Sequence, residues 1–213
     1  MRRIVVVDLG TGNLHSVSKA LEHVAGGVTV KVSAEPAVIA AADHVVLPGQ
    51  GAIGTWFKAL GKDTLHQAIT IALASRPVLG ICLGLQALFD HSDEDGGTTG
   101  LGVLAGQVRR FGSGENTRGR ELKVPHMGWN NVTQHGEHPL WLGIPQDTRF
   151  YFVHSYYADA RAPDQVAGTT DYGVRFTSAA TADNVFAVQF HPEKSHAQGL
   201  KLLENFVNWD GGT

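Results

Sequence analysis

The first half of the chain is constrained most by a repeated alternation of short apolar runs with helical patterns. Runs of β-branched and other apolar residues predict strands at 3–8, 28–32, 44–47 and 78–81. Apolar residues at helical spacing predict helices at 14–24, 36–42, 52–60 and 65–74. Strands joined through helices pair in parallel, because each helical crossover covers a face of the sheet. We therefore predict an α/β fold with an open, mostly parallel sheet flanked by helices.

The second half of the chain has a different pattern of residues. From about residue 101, Gly, Asn and Pro divide it into short β-like runs at 103–110, 129–133, 149–153 and 166–169. These runs predict an additional, antiparallel portion of the sheet, and residues 112–119, with three glycines, predict a loop. A buried strand is predicted at 185–189, and a closing helix is predicted from the spacing of Leu200, Leu203, Phe206 and Val207.

Composition excludes several classes of protein. With 213 residues, of which 43% are hydrophobic and 17% charged, the chain fits a globular protein, and we expect one domain over residues 1–213. The net charge of −3 provides no positive field that would gather nucleic acid or anionic lipid. One cysteine cannot form an internal disulfide, and no apolar leader opens the chain, so we expect a cytoplasmic protein without a membrane partner.

The lone cysteine lies in a glycine frame, Gly80-Ile81-Cys82-Leu83-Gly84, between a predicted strand and a helix that begins near Gly84. This is the spacing of a nucleophile elbow with cysteine in place of serine. A sharp turn exposes the nucleophile, and the glycines let neighbouring backbone pass close to it. The sulfur would then lie at a helix N-terminus, where the dipole favours a thiolate. A buried structural cysteine is the alternative interpretation.

A histidine and a glutamate follow another predicted strand, at His191 and Glu193. In an extended segment residues two apart point the same way, so the carboxylate can hold the imidazole. A cysteine nucleophile needs an oriented base of this kind, and the carboxyl ends of parallel strands meet at one edge of a sheet. We therefore predict a catalytic triad of Cys82, His191 and Glu193. The chain has 11 histidines, so a structural role for His191 is the alternative.

A third predicted strand ends at the turn Gly49-Gln50-Gly51, just before a helix. Backbone amides in such a turn can stabilise an oxyanion, and the amide of Leu83, directly after the cysteine, is the natural second donor. A turn with no role in binding is the alternative interpretation.

Two other patterns point to cofactors, and we reject both. Residues 10–15 open like a dinucleotide-binding fingerprint, but His15 stands where the third glycine belongs. His135 and His138 have no accompanying cysteine or paired carboxylate, so a polar loop is a better interpretation than a metal site. We expect neither a cofactor nor a metal.

Two segments resemble the class I, or triad, glutamine amidotransferases: Gly-Ile-Cys-Leu-Gly-Leu-Gln at 80–86 and Phe-His-Pro-Glu at 190–193. Further matches to one branch of this family, at 12–17, 48–52, 125–130, 151–157 and 189–195, extend the resemblance over essentially the whole chain. The resemblance implies that Cys82 attacks the side-chain amide of glutamine. It also implies that His191 passes a proton to the leaving ammonia and that Glu193 orients His191.

Matching positions imply further site residues. The oxyanion site would be lined by Gly49, Gln50, Gly51 and Leu83, and glutamine would be held by Gln86, Glu94, His154, Ser155 and Tyr156. The ammonia would pass to a separate cyclase subunit with a (β/α)₈ barrel. The face that docks on this heterodimer partner would include Asn13, Trp129, Tyr151 and Lys194, although Trp129 could equally lie in the core.

Alternatives stay open beside this interpretation. The chain could serve another synthase, such as anthranilate or aminodeoxychorismate synthase, although the segment Pro-His-Met-Gly-Trp-Asn at 125–130 argues against this. It could also be a non-catalytic regulatory subunit of the same fold, or a free-standing hydrolase of γ-glutamyl peptides. For the amidotransferase we expect low activity in the isolated chain and activation by the cyclase, because the glycines at 49 and 51 allow a peptide to turn over between two orientations.

Overall fold

The computed structural model describes residues 2–61, 64–112 and 122–212. Its strands are β1 (Arg3–Val7), β2 (Thr29–Ser33), β3 (His44–Leu47), β4 (Val78–Ile81), β5 (Phe89–Ser92), β6 (Thr98–Thr99), β7 (Leu104–Arg110), β8 (His126–Gln134), β9 (Thr148–His154), β10 (Tyr156–Ala160), β11 (Val166–Tyr172), β12 (Val174–Ala182) and β13 (Val185–Val188). Its α-helices are α1 (Leu14–Val24), α2 (Pro36–Ala40), α3 (Ile53–Leu60), α4 (Thr64–Ser75), α5 (Leu83–Ala87) and α6 (His196–Asn208). Within these ranges no helix is long and apolar enough to cross a membrane. The loop predicted at 112–119 lies outside the described residues, except for Gly112.

The described strands form one sheet with a parallel and a largely antiparallel part. The order along the main path is β2-β1-β3-β4-β13-β12-β10-β7-β5-β6, and β11, β8 and β9 branch from β12. Neighbours from β2 to β13 are parallel, whereas the pairs that lead from β13 to β7 are antiparallel. The predicted fold class is confirmed. Each predicted strand and helix is present, and β5, β6, β10 and β12 were not predicted.

The parallel part of the sheet is buried on both faces, as β1 illustrates. Ile4 and Val6 pack into a core on one face together with side chains of α1 and α6. Val5 and Val7 pack into a second core on the other face, with side chains of α2, α3 and α4. All four side chains are at most 2% exposed, and each contributes about 1.5–3 kcal/mol through burial. A strand of this kind needs an apolar side chain at every position, which explains the uninterrupted run that predicted it.

The order of the strands determines which loops meet. β4 lies between β3 and β13 and is parallel to both, with Gly80 opposite Leu47 and Ile81 opposite Val188. The three strands therefore end side by side. The segments that follow them, 48–51, 82–84 and 189–193, meet at one edge of the sheet, where open parallel sheets place their sites.

Candidate active site

Cys82 occupies the turn between β4 and α5 in a backbone conformation that few L-residues adopt. Its φ is 57° and its ψ is −107°, and such a conformation costs on the order of 1–3 kcal/mol. Gly84 lets the turn close, because a Cβ at this position would overlap the carbonyl oxygen of Leu47. The turn has the geometry of a nucleophile elbow, with the cysteine between a strand and a helix N-terminus.

His191 and Glu193 form a buried pair directly after β13. Nδ1 of His191 lies 2.8 Å from Oε1 of Glu193, and the two side chains are 2% and 1% exposed. The contact does not arise as the sequence argument expected. Residues Pro192–Lys194 form a 3-10 turn, so the assumption of an extended segment is wrong. The turn brings the carboxylate back beside the ring, and the fixed φ of Pro192 favours its first position.

The pKa of His191 is raised to about 10. Burial alone lowers this pKa, but the negative charges of Cys82 and Glu193 outweigh burial. In the described part of the chain, Nε2 of His191 has no hydrogen-bond partner. Cys82 and His191 line the same cavity, where the negative sulfur raises the pKa of the imidazole.

A cavity of about 410 Å³ opens at this edge of the sheet, a volume suited to a small ligand. Cys82 and His191 share its wall with most of the residues predicted to bind glutamine or an oxyanion: Gln50, Gly51, Leu83, Gln86, Glu94, His154, Ser155 and Tyr156. Pro125, Val153 and Lys194 also line it. Gly49 and Glu193 line a smaller cleft, which shares Gln50 and His191 with the main cavity.

The turn at 49–51 lies directly against the residue that follows Cys82. A Cβ on Gly49 would lie 2.8 Å from Cβ of Leu83 and 2.9 Å from Cδ1 of Trp56, so glycine is needed for this approach. Gly51 has a φ of 86°, in the left-handed region that glycine adopts readily. The amide of Leu83 opens α5 and has no acceptor within the helix. The two glycines thus bring the turn and this amide to one side of the site.

Glu94 connects the cavity to the helix that follows this turn. Its Oε2 accepts a hydrogen bond from the Ile53 amide at 3.0 Å, and Oδ2 of Asp95 accepts one from the Gly54 amide at 3.2 Å. The two carboxylates cap α3, whose own N-cap residue, Ala52, supplies no capping side chain. Burial raises the pKa of Glu94, against the effect of the bond from Ile53.

His154 reaches the cavity at the end of a series of buried hydrogen bonds. Its Nδ1 lies 2.8 Å from the carbonyl oxygen of Tyr156, and its Nε2 lies 2.8 Å from Nδ1 of His126. Burial lowers the pKa of His154 to about 3 and that of His126 to about 4, so both rings are neutral at neutral pH. A carbonyl only accepts, so each Nδ1 carries the proton. This series fixes the segment that supplies Ser155 and Tyr156 to the cavity wall.

The residues predicted for a partner face lie around the site. Trp129 is 37% exposed, which disfavours the alternative of a core residue, and its ring lies 6.1 Å from that of Tyr151. The carbonyl of Tyr151 accepts a hydrogen bond from the His191 amide at 2.9 Å, so this surface is joined to His191 through the backbone. Lys194 lines the main cavity. Asn13 is exposed, caps α1 and lines the smaller cleft.

Gln189 contacts Cys82 and was not among the predicted site residues. Its Nε2 lies 3.7 Å from Sγ of Cys82, and the side chain is 0% exposed. The available sequence signal was an amide at the end of an apolar run, two positions before His191. The spacing of apolar residues in the sequence does not show which residue such an amide contacts.

The two histidines of the rejected metal pattern have other contacts. His135 lies on the surface, with Nε2 2.8 Å from Oγ1 of Thr169. His138 is buried, and its Nδ1 accepts a hydrogen bond from the Leu140 amide at 3.1 Å. Both histidines lie in the predicted loop at 135–138, but the ring of His138 packs against Phe186 and Trp209 instead of polar groups. Among the residues that the structure describes, no three potential metal ligands cluster together.

Comparisons with known proteins find relatives over nearly the whole chain. The family model "Glutamine amidotransferase class-I" matches residues 5–209. Imidazole glycerol phosphate synthase subunit HisH of Thiobacillus denitrificans is 54% identical over an alignment of 211 positions, which covers 98% of this chain and 92% of that protein. Subunit HisH 1 of Pseudomonas aeruginosa is 54% identical over an alignment of 214 positions, which covers 99% of each protein.

Solved structures share the fold at low sequence identity. PurLQS from Thermotoga maritima aligns with a TM-score of 0.71 and 16% identity over 97% of this chain and 98% of that one. The glutaminase domain of Trypanosoma brucei CTPS aligns with a TM-score of 0.60 and 15% identity over 99% and 95%. At these identities the likeness concerns the fold alone.

Proposed function

The chain belongs to the class-I glutamine amidotransferase family, and we propose that it is the glutaminase subunit of an imidazole glycerol phosphate synthase, which acts in histidine biosynthesis. The observation that carries the assignment of the site is that Cys82, His191 and Glu193 converge at one edge of the sheet. The reaction hydrolyses glutamine to glutamate and ammonia. The full-length HisH relatives favour this synthase over anthranilate or aminodeoxychorismate synthase.

In the first half of the reaction, Sγ of Cys82 attacks the carbonyl carbon of the glutamine side-chain amide. The carbonyl electron pair moves onto the oxygen, and the amides of the 49–51 turn and of Leu83 stabilise the resulting oxyanion. With a pKa of about 10, His191 is protonated at neutral pH. It donates the Nε2 proton to the departing nitrogen, so ammonia leaves and a glutamyl thioester remains on Cys82.

In the second half, water attacks the thioester carbonyl. His191, now neutral, takes a proton from the water, the carbon–sulfur bond breaks, and its electron pair returns to sulfur as glutamate is released. Glu193 accepts the Nδ1–H bond in both halves and stabilises each imidazolium that forms.

The cavity walls suit the substrate. The carboxylate of Glu94 matches the α-ammonium group of glutamine. The remaining contacts come from Gln86 and from the 154–156 segment, whose position the buried His126–His154 bond supports. A nucleophilic thiol also has to remain reduced, which supports a cytoplasmic location for the enzyme.

We assign Asn13, Trp129, Tyr151 and Lys194 to the face that docks on the cyclase subunit, to which the ammonia passes. An exposed tryptophan beside a tyrosine is typical of an interface anchor. Because the Tyr151 carbonyl is bonded to the His191 amide, docking at this face can influence the triad directly. We expect glutaminase activity to be low in the isolated chain and to rise when the cyclase and its ligand bind.

The assignment is tested by purifying the chain with its cyclase subunit and measuring synthesis of imidazole glycerol phosphate. Cys82→Ala is expected to abolish glutamine-dependent synthesis and to spare synthesis from added ammonia, because only the glutaminase step needs the sulfur. Glutamine-dependent synthesis by Cys82→Ala at the wild-type rate would overturn the nucleophile. Equal glutaminase rates with and without the cyclase would refute the expected activation.

A further inference from the structure

Gln189 directly follows the last residue of β13, and its side-chain amide is completely buried. Its side chain is 0% exposed, and its backbone amide donates to the carbonyl of Ser178 at 2.9 Å. A buried side-chain amide loses its bonds to water and has to find partners inside the protein. The partners of Gln189 therefore indicate what its amide does.

The amide of Gln189 bridges two residues of the cavity wall. Oε1 accepts a hydrogen bond from Nε2 of Gln86 at 3.0 Å, and Nε2 lies 3.7 Å from Sγ of Cys82. Nε2 of Gln86 also donates to the carbonyl oxygen of Tyr156 at 2.9 Å. Because that carbonyl can only accept, the amide of Gln86 is fixed with its nitrogen towards Gln189. Gln189 then presents its oxygen to Gln86 and its NH₂ group to the sulfur.

We propose that Gln189 is a catalytic residue, which donates a hydrogen bond to Sγ of Cys82 and is held in the donating orientation by Gln86. The proposal rests on Cys82 being the nucleophile. A hydrogen bond to the charged form of a group favours that form, so the donor favours the thiolate over the thiol. The same bond assists release of glutamate, since the electron pair of the broken carbon–sulfur bond returns to this sulfur.

Gln189 differs in kind from the other groups that face the sulfur. Besides Cys82, the ionisable side chains on the cavity wall are His154, Tyr156, His191, Glu94 and Lys194, and Glu193 lies against His191. Of these, His191 changes its charge during the reaction. Gln189 stays neutral throughout, so it can support the thiolate both before attack and after the thioester breaks.

The test measures alkylation of Cys82 by iodoacetamide as a function of pH, in the full-length chain without glutamine. Gln189→Met keeps the volume of the side chain and removes the donor. We expect the midpoint of the alkylation profile to move to higher pH by about one to two units, the effect of losing one hydrogen bond to a charged group. At pH values below the wild-type midpoint, alkylation should therefore slow by about ten- to a hundredfold. An unchanged rate and profile in a folded Gln189→Met protein would overturn the proposal.

A double-mutant cycle tests the link to Gln86. If Gln86 acts on the sulfur by orienting Gln189, then Gln86→Met slows alkylation in the wild type and has no further effect in Gln189→Met. Additive effects would contradict the orienting role. Glutamine is absent, so loss of any substrate contact by Gln86 does not enter the measurement.

Asn205→Leu is the matched control for loss of a buried amide. Nδ2 of Asn205 donates to the carbonyls of Leu140 at 3.0 Å and Leu142 at 2.8 Å, at α6 and outside the residues that line the cavity. This variant should lower the melting temperature and leave the alkylation profile of Cys82 unchanged. If Gln189→Met does not fold, Gln189→Glu keeps the shape and places a carboxylate beside the sulfur. Its alkylation profile should then move to higher pH, and a wild-type profile would overturn the proposal.

The outcomes separate this inference from the function on which it rests. If the wild-type Cys82 is not alkylated at neutral pH faster than an ordinary thiol, the nucleophile assignment fails. If the wild type reacts rapidly and Gln189→Met shows the same alkylation profile over the whole pH range, only the role of Gln189 fails.

Discussion

Replacing Glu193 with Gln removes the charge from the buried pair and keeps its shape. The carboxylate oxygen lies 2.8 Å from Nδ1 of His191, and both side chains are almost fully buried. The amide of Gln can still accept the Nδ1–H bond through its oxygen. The variant therefore isolates the electrostatic contribution of Glu193 from its contribution to the position of the ring.

The magnitude follows from the separation of the charges. Two unit charges with centres about 4–5 Å apart attract by about 3–4 kcal/mol at an effective dielectric constant of about 20. Losing this attraction lowers the pKa of His191 from about 10 towards neutrality. The imidazolium that we propose as the proton donor to the departing nitrogen then becomes scarce at alkaline pH. We expect kcat/KM for glutamine to fall by about 100-fold or more, within the range for loss of acid–base catalysis.

The assay is the pH dependence of glutaminase activity in the complex with the cyclase, together with an NMR titration of His191. As the pH is raised, the activity of Glu193→Gln should fall at a lower pH than the activity of the wild type. The ion pair stabilises the fold fully below pH 6.5 and loses this effect as the pH rises through about 10. The difference in melting temperature between variant and wild type should therefore shrink at alkaline pH.

Glu204→Gln is the matched control for this substitution. Oε2 of Glu204 lies 2.9 Å from Nζ of Lys201, in a pair that is 36% and 47% exposed. Exposed pairs contribute only about 0–1 kcal/mol, so this variant should keep the wild-type kinetics. The reasoning is refuted if Glu193→Gln keeps kcat/KM within about threefold of the wild type and its pH profile is unchanged.

The other predictions concern packing, capping and acid stability. Gly84→Ala should prevent folding or lower the melting temperature strongly in a thermal scan, because its Cβ would overlap the backbone that ends β3. Asp95→Ala removes the hydrogen bond to the Gly54 amide and should lower the free energy of unfolding by about 1 kcal/mol in urea titrations. Acidification from pH 7 to pH 5 should destabilise the fold, since the pKa values of His126 and His154 are lowered to about 4 and about 3. Each of these two histidines lowers the free energy of unfolding by about 2 kcal/mol between pH 7 and pH 5. The variant His126→Gln should therefore show a weaker dependence of melting temperature on pH over this range.

The parallel half of the fold could be predicted because its strands are buried on both faces and are apolar throughout. β12 was missed for the opposite reason. Its sequence is rich in small residues, and Ser178, Ala179 and Ala180 are all 0% exposed. They suit close packing between β10, β11 and β13, but without bulky side chains they do not produce the pattern of a strand.

The residues of the candidate site could be predicted where they form contiguous motifs in the sequence. Contacts between residues that the sheet brings together from distant parts of the chain could not be predicted. The contact between His191 and Glu193 was expected, but it is made by a 3-10 turn rather than by an extended segment. The bond between His126 and His154 depends on the register of β8 and β9, which sets these two residues opposite each other. Gln189 contacts Cys82 because β13 pairs with β4, which sets the residues that follow the two strands side by side.

The claim that Cys82 carries the substrate is tested most directly by mixing the complex with glutamine, quenching rapidly in acid and analysing the protein by mass spectrometry. The mechanism predicts a glutamyl group in thioester linkage on the peptide that contains Cys82, and no adduct in Cys82→Ala. A glutamyl adduct on a different residue, or glutamate production by Cys82→Ala at the wild-type rate, would contradict it.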